Sequence, residues 1–166
     1  PILVIKDRLD FETLPEPKKD SGITAQEVVW FGYSHNIEVI EPALVLLGQL
    51  DLKLRLVTNG GFTTSECLVE SVKWTPQTSN AEIQKADFAL LPEPTIGTGP
   101  YKSENKETLA IALGLAVAKN AEDVRRFMDP AERQKEVAEK MKWVRENYDV
   151  RQSVVEMQNV INSIQK

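Results

Sequence analysis

The sequence predicts an α/β domain: a doubly wound, Rossmann-like parallel sheet with helices on both faces. Three observations lead there. Short apolar runs alternate with segments of helical apolar spacing through most of the chain, which is the pattern of parallel β-α-β units. Several of the strand-like runs end on a turn signal, namely Gly32, Asn59-Gly60-Gly61 or Pro92, as strands feeding short loops do. A length of 166 residues with 42% hydrophobic content suffices for one domain with a full core.

The elements follow in order. Glu12 to Gly22 is polar and rich in Pro and Lys, and reads as a loop or linker. Val28-Val29-Trp30-Phe31 is a buried-strand signal that stops at Gly32. Ile37, Ile40, Leu44 and Leu47 have helical spacing up to Leu50, with Asn36 as the expected N-cap. Pro42 inside that pattern predicts a kink or a late helix start. Leu52 to Val57 alternates as a strand, and Val69 to Trp74 is a weaker one. Ser79-Asn80-Ala81-Glu82 has capping-box spacing and predicts a short helix through Lys85. Asp87 to Leu91 is a strand closed by Pro92. Ser103 is the expected cap of a helix over Glu104 to Leu113, and Leu115 to Ala118 is the last strand. The remainder is helical. Asp129-Pro130-Ala131-Glu132 is a well-formed helix start, and Val150, Val154, Met157, Ile161 and Ile164 form an apolar stripe on a final helix.

Composition narrows the function classes. A net charge of −5 argues against a dedicated nucleic-acid binder or a binder of anionic membranes, which present basic faces. One cysteine, Cys67, excludes an internal disulfide framework and fits a reducing, cytoplasmic compartment. One histidine and one cysteine make a structural zinc site improbable. No apolar run reaches the length of a spanning helix. The chain opens Pro1-Ile2-Leu3-Val4-Ile5, inside an apolar run without an initiator Met or signal-peptide features. This leads us to expect a piece of a longer protein whose missing part lies at least on the N-terminal side.

In a doubly wound sheet, ligands bind outside the carboxyl ends of the strands. Three segments there carry candidate chemistry. In Tyr101-Lys102-Ser103-Glu104-Asn105-Lys106, two lysines flank a helix start, where a cation is disfavoured by roughly 0.3–1 kcal/mol at an exposed site. A bound diphosphate would convert that repulsion into attraction. The alternative is a solvated turn whose lysines pair with Glu104 and Glu107. In Gly32-Tyr33-Ser34-His35-Asn36, the glycine admits a ligand to the backbone. His35 there is either a phosphate donor or catalytic group, or simply structural. Trp74-Thr75-Pro76-Gln77 offers an aromatic ring and amides to a nucleobase, or Trp74 is ordinary core. Asn59 and Gly60 would border the same base. No G-x-G-x-x-G, no Gly-x-Ser-x-Gly and no Asp-x-Asp is present, which argues against a dinucleotide oxidoreductase, a hydrolase elbow and a metal–nucleotide clamp.

Taken in order, these segments resemble the C-terminal, donor-binding domain of GT-B glycosyltransferases of the "group 1", GT4-like kind. Ile2 to Asp7 is similar to the family's entry segment, Val28 to Gly32 to its first strand and glycine, and Glu82 to Pro92 to its helix–Asp–strand–Pro signature. Lys102 to Lys106 followed by Ala110-Ile-Ala-Leu-Gly-Leu-Ala-Val117 is similar to its phosphate-binding helix and following strand. The chain departs from the family at Leu109, where many members carry a second glutamate, and at Ala116, where a proline is usual.

The resemblance implies a domain division of 1–22 as entry segment and linker and 23–166 as the nucleotide-sugar-binding domain, with an N-terminal acceptor domain outside this chain. It implies a metal-independent, hexosyltransferase-like enzyme without a cofactor, acting in surface-polysaccharide synthesis, cytoplasmic or peripheral at the inner face of a membrane. The diphosphate is expected on Gly32, Tyr33, Ser34, Asn36, Lys102, Ser103, Asn105 and Lys106, and the base and ribose on Asn59, Gly60, Trp74, Thr75, Pro76 and Gln77. The glycan or lipid-linked acceptor would come to the other domain, and this domain alone would be inactive. Two rival readings are a noncatalytic binding module with a degenerate pocket and a nucleotide-sugar epimerase of the same build. The stripe from Val150, left uncovered, would be adhesive and favour a dimer of the isolated domain.

Overall fold

The computed structural model describes residues 7–92 and 104–164. Five strands form one parallel sheet: β1 Glu27–Gly32, β2 Lys53–Thr58, β3 Val69–Lys73, β4 Phe88–Leu90 and β5 Ala116–Ala118. Their order is β3-β2-β1-β4-β5. The chain winds outward from β1 to one edge and then returns to build the other edge from β4. The switch point therefore lies between β1 and β4, where a crevice opens at the carboxyl ends. The expected doubly wound α/β fold is the fold observed.

The helices are α1 Glu41–Gln49, α2 Ser79–Ile83, α3 Asn105–Ala112, α4 Ala121–Arg126, α5 Pro130–Asn147 and α6 Val150–Ile164. The twofold alternation of β1 sorts the core into two layers. Val28 and Trp30 face α1 and α4, with Leu44, Leu47, Leu54, Leu56, Phe88 and Phe127. Val29 and Phe31 face α2, α3 and α5, with Ile83, Ile111, Val117 and Val144. Both faces of the sheet are thus covered at its centre, which is why β1, β4 and β5 read as continuous apolar runs, whereas β2 alternates through Lys53 and Arg55 and the edge strand β3 is largely exposed.

Several boundaries differ from the sequence expectations. The helix expected from Ile37 begins late: Ser34–Ile40 is a 3-10 turn, and α1 starts at Glu41 with Pro42 in its first turn. Proline lacks the N–H that a first turn leaves unused, so it sets the start rather than a kink. Asn36 consequently caps nothing; its N–H donates to the Tyr33 carbonyl. Ser79 does not close a capping box. Thr78 holds the N-cap position without a side-chain cap bond, and its hydroxyl pairs with that of Thr75 at 2.6 Å. The expected Asp129 cap is present, accepting from the Ala131 N–H at 2.8 Å. Asn120 caps α4, a helix not resolved as separate by spacing.

Residues 12–22 carry no strand or helix, yet they are held against the body. The Lys18 N–H donates to the Leu113 carbonyl at 2.9 Å, beside Gly114, whose φ of +88° turns the chain out of α3. Arg133 is 1% exposed and grips Asp20 through two bonds of 2.6 and 3.0 Å. It also donates to the carbonyls of Ile23, Phe127 and Met128. Leu9 makes a parallel bridge to Asp149 between α5 and α6. Among the described residues, no helix is long and apolar enough to cross a membrane.

Candidate functional site

The crevice at the switch point is built around Gly32, the last residue of β1. Its φ is +151°, and a Cβ there would collide with the Lys106 ammonium, with the Lys106 Cε 3.2 Å away. Lys106 stands in the first turn of α3, on one face of the sheet. Its Nζ nevertheless lies 5.0 Å from the ring centroid of Trp30, a residue in the core of the other face. The lysine therefore reaches across the end of β1, through the space a side chain at position 32 would fill. The ring offers its negative face to the ammonium. Trp30 is 1% exposed and serves as a fixed floor.

The loop after β1 is tied to the loop after β2. The Ser34 N–H donates to Asn59 Oδ1 at 2.9 Å. A Cβ on Gly60 would stand 2.8 Å from the Ser34 hydroxyl oxygen and 2.9 Å from its Cβ. Gly32, Tyr33, Ser34, Asn36, Asn59 and Gly60 are thus neighbours along one rim, which Lys106 meets at Gly32. Tyr33 is exposed and stacks on His35, centroids 5.6 Å apart and planes 17° apart. The 3-10 turn places this aromatic pair outward on the rim.

α3 begins at Asn105 with Glu104 as N-cap, and the Glu104 side chain makes no cap bond. Its carboxylate instead accepts from the Tyr148 hydroxyl. Burial and this bond push Tyr148 up to about 12. The Glu104 carboxylate is thus turned away from the helix start that it precedes. Asn105 does not face the rim: its amide N–H donates to the Asp7 carboxylate, and its Oδ1 is buried without a hydrogen-bond partner among the described residues. Lys102 and Ser103 lie outside the described residues.

Trp74, Thr75, Pro76 and Gln77 follow β3, the edge strand. Two strand spacings, roughly 10 Å, separate that edge from β1. The Trp74 N–H donates to the Thr58 carbonyl at 2.8 Å, which extends the ladder by one residue. Its ring is 48% exposed, so it is not core. Thr75 accepts the N–H of Ser79 at 3.0 Å and organises the turn into α2. The structure thus brings Lys106 to the Gly32–Asn36 segment, which is tied to Asn59 and Gly60, and holds the Trp74 segment apart, on the same end of the sheet.

The Arg55 cluster is structural. Arg55 is buried on β2 and bonds Glu27, Glu82 and Glu70 at 2.6, 3.0 and 3.1 Å. It lies toward the amino ends of the strands, away from the crevice. Burial pushes the Cys67 thiol up, which lowers its nucleophilic character. Among the described residues no group of three or more His, Cys, Asp or Glu is arranged to hold a metal ion.

Sequence reasoning did not single out Trp30, whose apolar neighbours read as plain strand, or Tyr148, which meets Glu104 across 44 residues. The fold and its crevice define the class as a Rossmann-like, doubly wound α/β domain. No family model matches the chain, and no curated protein matches it significantly.

Proposed function

We propose that this chain binds a nucleotide-diphosphate sugar at the β1–β4 crevice, as the donor domain of a GT-B glycosyltransferase. The observation that carries the reading is Lys106, which reaches from the start of α3 across Gly32 at the topological switch point. Two features favour an anion there: the ammonium, which the missing side chain of Gly32 lets reach the end of β1, and the helix dipole. A diphosphate over Gly32 would lie between Lys106 and the rim of Ser34, Asn59 and Gly60. Lys106 would then stabilise the negative charge that develops on the departing diphosphate. The half-exposed Trp74 and the exposed Tyr33 are the aromatic surfaces available to the base. The sugar would extend toward the acceptor, which on this reading is held by a second domain. Leu109, turned partly into the α3 core layer, leaves no carboxylate at that point of α3, so donor recognition falls to Lys106 and the backbone.

Isothermal titration with UDP, GDP and ADP tests the reading. Saturable binding of at least one is expected. Lys106→Ala is expected to weaken it by roughly tenfold or more, the loss of a charge-assisted contact of about 1.5–3 kcal/mol. Absence of binding by all three, or affinity that survives Lys106→Ala within about twofold, overturns it. Nucleotide binding by a complete protein that transfers no sugar would favour the noncatalytic module.

A further inference from the structure

A second concavity lies outside the crevice, between α3 and α5 beside the end of β5. Its volume is about 290 Å³, and Glu107, Lys119, Glu139, Lys140 and Trp143 are among its lining residues. We propose that this groove binds a neutral saccharide unit, with Trp143 as the platform for one sugar ring.

The chemistry of the wall selects the ligand class. Glu107 is held between two ammonium groups, Lys119 at 2.7 Å and Lys140 at 3.0 Å. Lys140 also reaches Glu136 at 2.7 Å. Burial alone would raise the Glu107 carboxyl, but the two lysines outweigh it and hold the group below its usual range. Glu107, Lys119, Lys140 and Glu136 are therefore mutually paired charges, and Glu139 adds a further carboxylate to the lining. A phosphate would have to displace Glu107 from the lysines and would also face the Glu104 and Glu139 carboxylates. A hydroxyl displaces no ion pair: it donates to a carboxylate lone pair, that of Glu139 included, and accepts from an N–H of the Lys140 ammonium.

Trp143 supplies the apolar half of the site. It is 47% exposed although it sits at the junction of α5 with α3. Its ring is braced at 5.3 Å from the Tyr148 ring, at an interplanar angle of 54°. Tyr148 is in turn fixed by Glu104. A half-exposed indole, held in place and bordered by paired donors and acceptors, matches a sugar ring. The ring's C–H face packs on the indole and its equatorial hydroxyls point to the charged rim. The volume lies at the lower edge of the roughly 300–1,000 Å³ typical of small-molecule sites, which suits one ring. The site shares no residue with the Gly32–Lys106 crevice and stands independently of the nucleotide reading.

The test is ¹H–¹⁵N NMR of the full chain titrated with glucose, N-acetylglucosamine and maltose. The Trp143 indole signal is identified by its loss in Trp143→Phe. Expected are saturable shifts of that signal and of the backbone amides of 104–111 and 139–144, with a Kd of about 1–20 mM, while the Trp74 indole stays still. Trp143→Ala and Glu139→Ala, both at exposed positions of α5, are expected to weaken binding at least fivefold and to leave UDP binding unchanged. The proposal is overturned if no saccharide moves these signals at about 50 mM, or if the shifts persist in Trp143→Ala. It is equally overturned if inorganic phosphate or tetramethylammonium binds the groove more tightly than every sugar.

Discussion

At the scale of single residues, Gly32 and Lys106 are one device. Glycine at 32 was legible as a strand terminator. That its missing Cβ is the channel for a lysine 74 positions later was not, because nothing local links a β1 end to an α3 start. Gly32→Ala is expected to destabilise the chain by about 1–3 kcal/mol, since it combines a φ that L side chains avoid with a clash against Lys106. In the Gly32→Ala/Lys106→Ala double variant the clash is removed and only the φ strain remains. The two losses should therefore be non-additive in chemical denaturation. Additive losses would mean that the two residues do not share the space. Tyr148 allows a second test. Its phenol is expected to titrate with a midpoint of about 12 by absorbance, above the ordinary value of about 10. Its raised value means that its contribution to stability is complete below about pH 10 and is lost as pH rises through about 12. Tyr148→Phe should remove that alkaline loss.

At the scale of elements, signals residing in consecutive residues were the ones that could be read. Pro130 after Asp129 starts α5 as its sequence dictates, because cap and proline act on their own first turn. The Asn36 and Ser79 caps did not form: Pro42 sets the start of α1, and the N-cap position of α2 falls on Thr78, whose hydroxyl pairs with Thr75 instead of capping. The polar stretch of residues 12–22 shows the opposite limit. Its composition says loop, while Arg133, far along the chain, turns it into a fixed strap. Asp20→Asn is expected to cost about 3–5 kcal/mol, because it leaves a buried guanidinium without its counter-charge. Burial alone would raise the Asp20 carboxyl. The Arg133 guanidinium and the Gly22 N–H outweigh that and hold it below its usual value. Its stabilising effect is therefore full above an unfolded pKa of about 3.9 and fades as pH falls through the lower folded value. The difference in Tm between wild type and Asp20→Asn should narrow below about pH 4. A constant difference would show that the ion pair is not what the substitution removes.

At the scale of the whole molecule, α6 stands apart. Val150, Val154, Val155, Met157 and Ile161 are all exposed, and among the described residues no α6 side chain joins either core layer. Among the described residues its first turns are tied down by Arg8, which bonds Ser153 at 2.9 Å and Glu156 at 2.7 Å. An exposed stripe of this size binds hydrophobic dyes. Val154→Lys with Met157→Lys is expected to abolish most of that dye fluorescence without lowering Tm, and a drop in Tm would show that the stripe is packed. The alternation of strands and helices, the two-sided burial of β1 and the terminators Gly32 and Pro92 were determined by the sequence itself. Apolar period and turn chemistry act over a few residues, so they are written locally. Only the tertiary structure decided that β4 returns beside β1, and with it where the crevice opens. It also decided that Lys106 faces Gly32 whereas Asn105 turns to Asp7, and that Trp74 sits two strands away from them. Those outcomes depend on which long-range packing buries the most apolar surface at once. That sum is taken over the entire chain, and no single segment carries it.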